Sequence, residues 1–285
     1  MNRFLAFAIA AGAVSGAHAL QLTDDCGVTV LLERPAKRIV SLAPHLAEIA
    51  FAAGAGTNLA GVSSFSRHPA EARRLPVVAS HGRADIERLI ALQPDLVLAW
   101  QSGNSTLQID RLKRLGIRVF VTEVRALADI PRVVRLVGVL AGSEAVAEAR
   151  AQQFENEIAD LRERHAGARR VAVFLEIWHR PMLTVNGAHL ISDALRLCGG
   201  RNVFASARTL TPLVSREAVL DARPEAIVTS GFGSDAPQAW RDLEVVSAVR
   251  SGRIYSIDPD LLHGQGPRVL EGVRALCEQL DRARR

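Results

Sequence analysis

Short continuous apolar runs alternate along this chain with stretches of helical periodicity, and this alternation constrains the fold more than any other feature. In the N-terminal half the runs are RIVSLA, LAGVSS, DLVLAW and RVFVTE, at 38–43, 59–64, 95–100 and 118–123. The helices predicted between them are His45–Ala53, Asp85–Leu92 and Thr106–Leu115. Fully apolar strands separated by helices are typical of a parallel sheet that is covered on both faces.

The same pattern begins again after Gly167. The later runs that predict strands are RRVAVFLEI, EAIVTS and RIYSID. Helices are predicted near Ile191–Leu197 and from Val269 to about Asp281. The second half of the chain therefore has the pattern of a second parallel sheet.

A helix–proline–strand unit occurs in both halves of the sequence. A short helix ends before a proline, and an apolar strand follows. Glu87 precedes Pro94 by the same spacing as Glu217 precedes Pro224. This internal repetition predicts two lobes of similar construction, with the two glutamates in equivalent places.

A long helical segment lies between the halves. It reads SEAVAEARAQQFENEIADLRERHAG, with Ser143 as a candidate N-cap. About 22 helical residues would span about 33 Å, enough to join two lobes.

We therefore predict an α/β protein of two Rossmann-like lobes with parallel sheets, joined by one long α-helix. The predicted parts are an N-terminal lobe over 20–125, connecting helices over 126–168 and a C-terminal lobe over 169–285. The alternative is that this helix belongs to one lobe alone.

The first nineteen residues have the pattern of a secretory signal peptide. Arg3 precedes an apolar run from Phe4 to Val14, and small residues lead to Ala19. The run is too short to span a bilayer. We predict a signal peptide over 1–19 with cleavage after Ala19, and hence an exported protein.

The formal net charge is +5. An excess of this size could suit nucleic acid, but no run of five like charges occurs in the sequence. An exported chain also seldom meets nucleic acid, so we predict solvated charged faces and no nucleic-acid partner.

The chain contains three cysteines. Cys198 falls at a predicted helix end and Cys277 falls on the last predicted helix. In an exported protein a bridge between them would tie that helix to the C-terminal lobe; the alternative is two buried thiols. If these two are bridged, Cys26 is left over.

Enzyme motifs are missing from the sequence. No phosphate-binding loop, dinucleotide fingerprint or nucleophile elbow occurs, so no catalytic residue is predicted. Four histidines fall in predicted loops or strand–helix junctions: His45, His68, His81 and His263. Their spacing matches no short metal-ligand motif, so no metal site is predicted. An exported enzyme using a metal held by these histidines is kept as an alternative.

Three large rings are predicted at strand ends. Trp100 and Trp178 end predicted strands, and Phe65 follows another. Ligands of open parallel sheets bind beyond the carboxyl ends of the strands. We therefore expect these rings to line one cleft between the lobes and to stack on a broad flat ligand. The alternative is that each ring caps the core of its own lobe.

Five segments carry a resemblance to a known family: RIVSLAPHLAEIAFAAGAG, GVSSFSRHPAEA, DIERLIALQPDLVLAW, LCGGRNVF and PLVSREAVL. They resemble the periplasmic cobalamin-binding proteins of ABC importers, which belong to the two-lobed binding proteins joined by one long helix. The resemblance runs from about Arg38 to Cys277. Receptors for heme and ferric siderophores share the fold and part of the first segment.

The resemblance implies a corrinoid held edge-on between the lobes. Phe65 stands at the position of a ligand-stacking tyrosine, and Trp100 matches a family tryptophan. Two pocket tryptophans are replaced here by His81 and Thr211. Trp178 is expected to supply the missing stacking.

Polar ligand contacts are expected beside these rings. His179 and Arg180 would face amide or propionate edges, with solvent exposure as the alternative, and Asn186 would lie at the lip. His81 or His263 could approach the metal centre of the ligand.

The resemblance also implies the partners. Glu87 and Glu217 match the acids that dock onto arginines of the membrane permease, and Cys198 and Cys277 match the disulfide of the family. We therefore expect a monomeric periplasmic receptor that catalyses no reaction, has no cofactor beyond its bound corrinoid, and delivers it to an ABC permease dimer in the inner membrane. The alternative is a heme or ferric-siderophore receptor of the same fold.

Overall fold

The computed structural model of the chain describes residues 19–231, 236–241 and 243–285. The strands are β1 (Leu20–Thr23), β2 (Thr29–Leu32), β3 (Ile39–Ser41), β4 (Leu59–Ser63), β5 (Val77–Ser80), β6 (Arg83–Ala84), β7 (Leu96–Trp100), β8 (Val119–Thr122), β9 (Val171–Glu176), β10 (Gly200–Asn202), β11 (Ala226–Thr229) and β12 (Ile254–Ser256). The helices are α1 (Pro44–Ala52), α2 (Ile86–Ala91), α3 (Thr106–Arg114), α4 (Asp129–Ala141), α5 (Glu144–His165), α6 (Leu190–Leu197), α7 (Arg216–Ala222), α8 (Ala236–Trp240), α9 (Ser247–Arg250), α10 (Pro259–Leu262) and α11 (Val269–Arg284).

Two separate sheets form the two halves of the protein. Within the described residues, the first has the order β6-β5-β4-β3-β7-β8 and the second has the order β10-β9-β11-β12. Within these two sheets, neighbouring strands are parallel except in the β5–β6 pair. The predicted α/β class with parallel sheets is confirmed.

Both faces of the first sheet are buried. Ile39, Leu96 and Leu98 face one core, which α1, α4 and α5 complete. Val40 and Val97 face the opposite core, against α2 and α3. This explains the continuous apolar runs, because a strand covered on both sides has no solvent face to keep polar.

The second sheet is built in the same way. Val173 and Val228 face α6 and α11, in a core continuous with that of the first half. Phe174 and Ile227 face the other side, where they pack with Trp240. The two halves therefore share one core on one side and have a separate core each on the other.

The predicted long helix is α5, which spans 22 residues. It follows α4 after Gly142, whose left-handed φ of 71° allows the sharp turn. Arg135 of α4 pairs with Glu148 at 2.7 Å and with Glu155 at 2.5 Å. Both helices fall within the predicted connecting region 126–168; the exact domain boundaries stay a prediction.

The two halves also meet directly. The Leu127 amide donates to Asp193 Oδ2 at 2.9 Å. Glu48 of α1 lies 3.8 Å from Arg268, just before α11. Burial raises the pKa of Glu48 to about 7, and the positive charge of Arg268 opposes that shift only in part.

Some elements were not predicted from the sequence. The hairpin of β1 and β2, the edge strand β6 and the short strand β10 are too short or too polar to show a pattern. The predicted signal peptide, except Ala19, lies outside the described residues. In the part of the chain that is described, none of the helices has the length and apolar character that crossing a membrane requires.

A disulfide joins Cys198 to Cys277, 79 positions apart in sequence. It fastens α11 to the end of α6, as predicted, and both cysteines are buried. Cys26 is exposed and is not in a disulfide.

We predict that Cys198→Ala/Cys277→Ala lowers the free energy of unfolding by about 2–5 kcal/mol. A closed loop of this length restricts the unfolded chain, which the entropy model values at about 4.5 kcal/mol. Urea denaturation measures the change. The matched control, Cys26→Ala, should change it by less than about 0.5 kcal/mol; equal stability of the double variant and the control would contradict the prediction.

Candidate functional site

A cavity of about 280 Å³ lies between the two halves, at the carboxyl ends of their strands. Trp100 ends β7, Glu123 follows β8 and Ile177 follows β9. The remaining lining residues come from loops and helix starts: Ser102, Val124, Arg125, His189, Leu190, Ile191, Leu210, Thr211, His263 and Gln265. Residues of both halves therefore line the same cavity, which lies where parallel sheets bind ligands.

The ring of Trp100 is held by the loop that follows it. Asn104 accepts from the Trp100 amide at 2.7 Å and donates to the Leu42 carbonyl at 3.0 Å. Gly103 lies under the indole, where an added Cβ would come within 1.8 Å of the ring. Only glycine fits at this close approach, so the loop and the ring are positioned together.

His45 packs edge-on against Trp100, with ring centroids 5.2 Å apart. Burial lowers the pKa of His45 to about 3. His45 Nε2 and Trp100 Nε1 are both buried and have no hydrogen-bond partner among the described residues. The N-terminal wall therefore carries a neutral imidazole behind an unpaired indole N–H.

Glu123 and Arg125 are the charged side chains of the cavity lining. Glu123 accepts from the Ser102 amide at 3.1 Å and from the Ser102 hydroxyl at 3.0 Å. Arg125 Nε lies 3.4 Å from the same carboxylate. The two charges compensate each other at this edge of the site.

Two buried histidines lie on the C-terminal wall. His189 caps α6, because its Nδ1 accepts from the Ile191 amide at 3.1 Å. Burial, together with the smaller effect of nearby His263, lowers the pKa of His189 to about 4. Burial also lowers the pKa of His263 to about 4, although Asp260 opposes the shift. His263 Nε2 and the Ser230 hydroxyl are 2.8 Å apart.

Gln265 completes this wall. Its side chain is nearly buried, with 9% of the residue exposed. Within the described part of the chain, its Oε1 has no hydrogen-bond partner. His189 and Gln265 were not among the predicted site residues, since a capping histidine and a single glutamine in a loop have no distinctive spacing.

Phe65 and His81 stand together on the N-terminal side. Their rings meet edge-on with centroids 5.7 Å apart. Both have positive φ, 66° and 48°, a conformation that costs energy for these residue types. Next to them, Gly82 lies so close to the Gly103 carbonyl that an added Cβ would be 2.3 Å from its oxygen. This contact joins the Phe65–His81 pair to the Trp100 loop, although neither residue lines the cavity itself.

Trp178 lies two residues beyond the end of β9, not at the strand end as predicted. Its indole N–H donates to the Arg180 carbonyl at 2.9 Å, and 40% of the residue is exposed. Its neighbour Ile177 lines the cavity, but Trp178 does not. The strand prediction was too long because Ile177 and Trp178 extend the apolar run into a bridge with Leu183.

Neighbouring polar residues have partners within the protein. His179 donates from Nδ1 to the buried Glu176 carboxylate at 2.5 Å. The side chain of Asn186 donates from Nδ2 to the Ala207 carbonyl at 3.1 Å. Its Oδ1 accepts from the Ala188 backbone amide at 2.9 Å. Arg180 is exposed. None of the three lines the cavity, whereas Trp100 and His263 do.

Glu87 and Glu217 occupy equivalent positions in the two halves. Each is exposed in the first turn of a short helix, α2 or α7. Asp85 and Ser215 cap these helices through bonds to the amide three residues later. The repeat predicted from the sequence is therefore reproduced in the structure.

The candidate metal-binding histidines do not form a cluster. Across residues 19–231, 236–241 and 243–285, no group of three or more His, Cys, Asp or Glu side chains is arranged to hold a metal ion.

Comparison with known proteins identifies relatives along most of the chain. The model of a family described as periplasmic binding protein matches residues 39–261. The vitamin B12-binding protein of Vibrio cholerae is 33% identical over 252 residues, covering 88% of this chain and 91% of the relative. The vitamin B12-binding protein of Yersinia pestis is 34% identical over 248 residues, covering 86% of each chain.

Solved structures of binding proteins are similar to this chain as well. The crystal structure of the periplasmic vitamin B12-binding protein of Vibrio cholerae is similar with a TM-score of 0.82 and 34% identity, covering 87% of this chain and 98% of that one. A periplasmic heme-binding protein in complex with two hemes is similar with a TM-score of 0.78 and 25% identity, covering 87% and 99%. These relatives are binding proteins, not enzymes.

We predict that His45 makes the protein sensitive to acid. Its pKa of about 3 in the folded state lies below the ordinary value near 6.5. Stability is therefore lost as the pH falls below about 6.5, since the unfolded chain binds the proton first. At pH 4.5 the loss due to this residue is about 2–3 kcal/mol.

Urea denaturation of the wild type and of His45→Phe at pH 7.5 and pH 4.5 tests this. The stability difference between the two proteins should shift by about 2–3 kcal/mol in favour of the variant at the lower pH. His81→Phe, which replaces an exposed histidine, is the control. A difference that is the same at both pH values would contradict the assignment.

Proposed function

The chain belongs to the family of periplasmic binding proteins, and we propose that it captures cobalamin or a related corrinoid in the cavity between its lobes. The resemblance predicted from the sequence is confirmed at the level of the family. The protein would then deliver its ligand to the permease of an ABC transporter. Corrinoid is favoured as the ligand because the vitamin B12-binding relatives are about one-third identical over nearly the whole chain.

The observation that carries this proposal is the cavity itself. It lies at the carboxyl ends of strands from both sheets, with Trp100 on one wall and His189 and Gln265 on the other. A planar ring bound there would bury both of its faces between the lobes. The exposed rings of Phe65 and Trp178 lie close in sequence to other strand ends and would extend the apolar contact beyond the cavity.

Stacking alone does not supply the affinity that a scavenging receptor needs. Binding at nanomolar concentration corresponds to about −12 kcal/mol, whereas one aromatic pair contributes about 0.5–1.5 kcal/mol beyond its buried area. Most of the affinity must come from apolar burial in a site that is already formed. The loop contacts of Trp100 with Asn104 and Gly103 supply that preorganisation.

The lobes should close only slightly on the ligand. The helix α5 packs on α4 through Arg135, and one apolar core continues from one half of the protein into the other. Such contacts resist the hinge rotation that a flexible connection would permit.

Glu87 and Glu217 are the proposed contacts with the permease. They are exposed at equivalent places on the two halves. A partner with two arginines can therefore form an ion pair with one glutamate on each lobe. A monomeric receptor in the periplasm, acting on a permease dimer in the inner membrane, fits this arrangement. The proposed signal peptide with cleavage after Ala19 would deliver the protein to that compartment.

A heme receptor is the second candidate function. It is favoured by the similarity to the heme-binding structure and by a cavity lining that includes two histidines, His189 and His263. Ligand titration separates the two candidates.

We predict that the purified protein binds cobalamin and cobinamide at submicromolar concentration, measured by calorimetry, and binds heme more weakly. Trp100→Ala should weaken corrinoid binding on the order of 10- to 100-fold, because it removes a central aromatic contact. Trp100→Phe is the matched control and should retain most of the affinity. Tight heme binding without corrinoid binding would replace this proposal with the second candidate.

A further inference from the structure

A second cavity, of about 390 Å³, lies between the two halves of the protein. We call it the Arg150 cavity, and it shares no lining residue with the cavity that Trp100 lines. Ala52 of α1 and residues of α4 and α5 line one side, and Pro267 and the first turns of α11 line the other. Its volume is in the range of sites that take small organic ligands.

Part of this lining is apolar. Ile130, Val134, Phe154 and Leu270 all line the Arg150 cavity, and all four belong to the apolar core that continues through both halves. An aliphatic or aromatic group placed against them would be removed from water, which favours binding in proportion to the apolar area covered.

Cations exceed anions among the other lining residues. The charged ones are Arg150, Arg268, Arg274, Glu157 and Glu271. Arg274 of α11 is paired directly with Glu157 of α5, so these two charges compensate each other. Two arginines and one glutamate remain.

The two remaining arginines make no hydrogen bond to a carboxylate among the described residues. Arg150 donates to the amide oxygen of Gln153 at 2.9 Å and forms no ion pair within that part of the chain. Arg268 lies 3.7 Å from Glu271 and 3.8 Å from Glu48, and both distances are longer than a hydrogen bond. Guanidinium donors are therefore left for an anion that enters the cavity.

We propose that the Arg150 cavity is a binding site for a small organic anion, a carboxylate with an apolar body. The carboxylate pairs with the guanidinium groups of Arg150 and Arg268, whose planar shape suits two parallel hydrogen bonds. The apolar body covers Val134, Phe154 and Leu270. This site goes beyond the proposed function and does not depend on which ligand the Trp100 cavity takes.

The test uses 4-phenylbutyrate as the probe, because it carries both a ring and a carboxylate. Its matched controls are 4-phenylbutanol, which lacks the charge, and butyrate, which lacks the ring. Calorimetric titration of the exported protein at pH 7.5 should give a dissociation constant of about 0.1 mM for 4-phenylbutyrate and values at least about tenfold higher for both controls. Failure of 4-phenylbutyrate to bind, or equal binding of the alcohol, would overturn the proposal.

Two variants assign the charge recognition to residues. Arg150→Gln should weaken 4-phenylbutyrate binding about fivefold, because it removes the cation and its paired donors. Arg268→Gln should weaken it as well. The control is Arg164→Gln, an exposed position on the same helix as Arg150 that lies outside the lining and removes the same charge from the protein. Unchanged binding in both Arg150→Gln and Arg268→Gln, or an equal loss in Arg164→Gln, would contradict the assignment.

A further pair of variants locates the probe. Ala52 is partly exposed at the end of α1, so Ala52→Phe places a ring in the space of the apolar body and should weaken binding at least about tenfold. Trp100→Ala alters the other cavity and should leave 4-phenylbutyrate binding unchanged. Loss of binding in Trp100→Ala with none in Ala52→Phe would place the probe in the Trp100 cavity and overturn the proposal. If Ala52→Phe unfolds the protein, Arg150→Gln and Trp100→Ala still decide.

Discussion

The direction of the strands is the constraint on which the rest of this structure depends. Because β3, β4, β7 and β8 are parallel, their carboxyl ends meet at one edge of the first sheet, and those of β9, β11 and β12 meet at one edge of the second. Residues that follow these strands are therefore gathered into two walls, although they are far apart in sequence. The cavity exists because the two edges face each other, and residues from both edges, such as Trp100 and Ile177, line it.

The helices hold these walls at a fixed separation. One apolar core runs through both halves, and the disulfide fixes α11 against the end of α6. The contact of Glu48 with Arg268 crosses the same region. A site built on such a frame exists before the ligand arrives, which reduces the ordering that binding requires.

The sequence predicts the fold well because the signals are local. A strand covered on both faces must be apolar throughout, so β7 and β9 are visible in the sequence, and α5 is found within two residues of its observed ends. The site is less predictable, because being near a strand end does not determine where a side chain points. Phe65 and Trp178 illustrate this, since they lie next to strand ends but outside the cavity lining. His189 and Gln265 were missed for the same reason: their place in the cavity lining depends on the folded protein and leaves no pattern in the sequence.

The central claim is that the cavity between the two halves that Trp100 lines binds a corrinoid ring. A crystal structure of the protein with cobinamide tests it most directly. The account predicts the corrin edge beside Trp100, in the cavity that both halves of the protein line. A ligand bound outside the cavity would contradict the account.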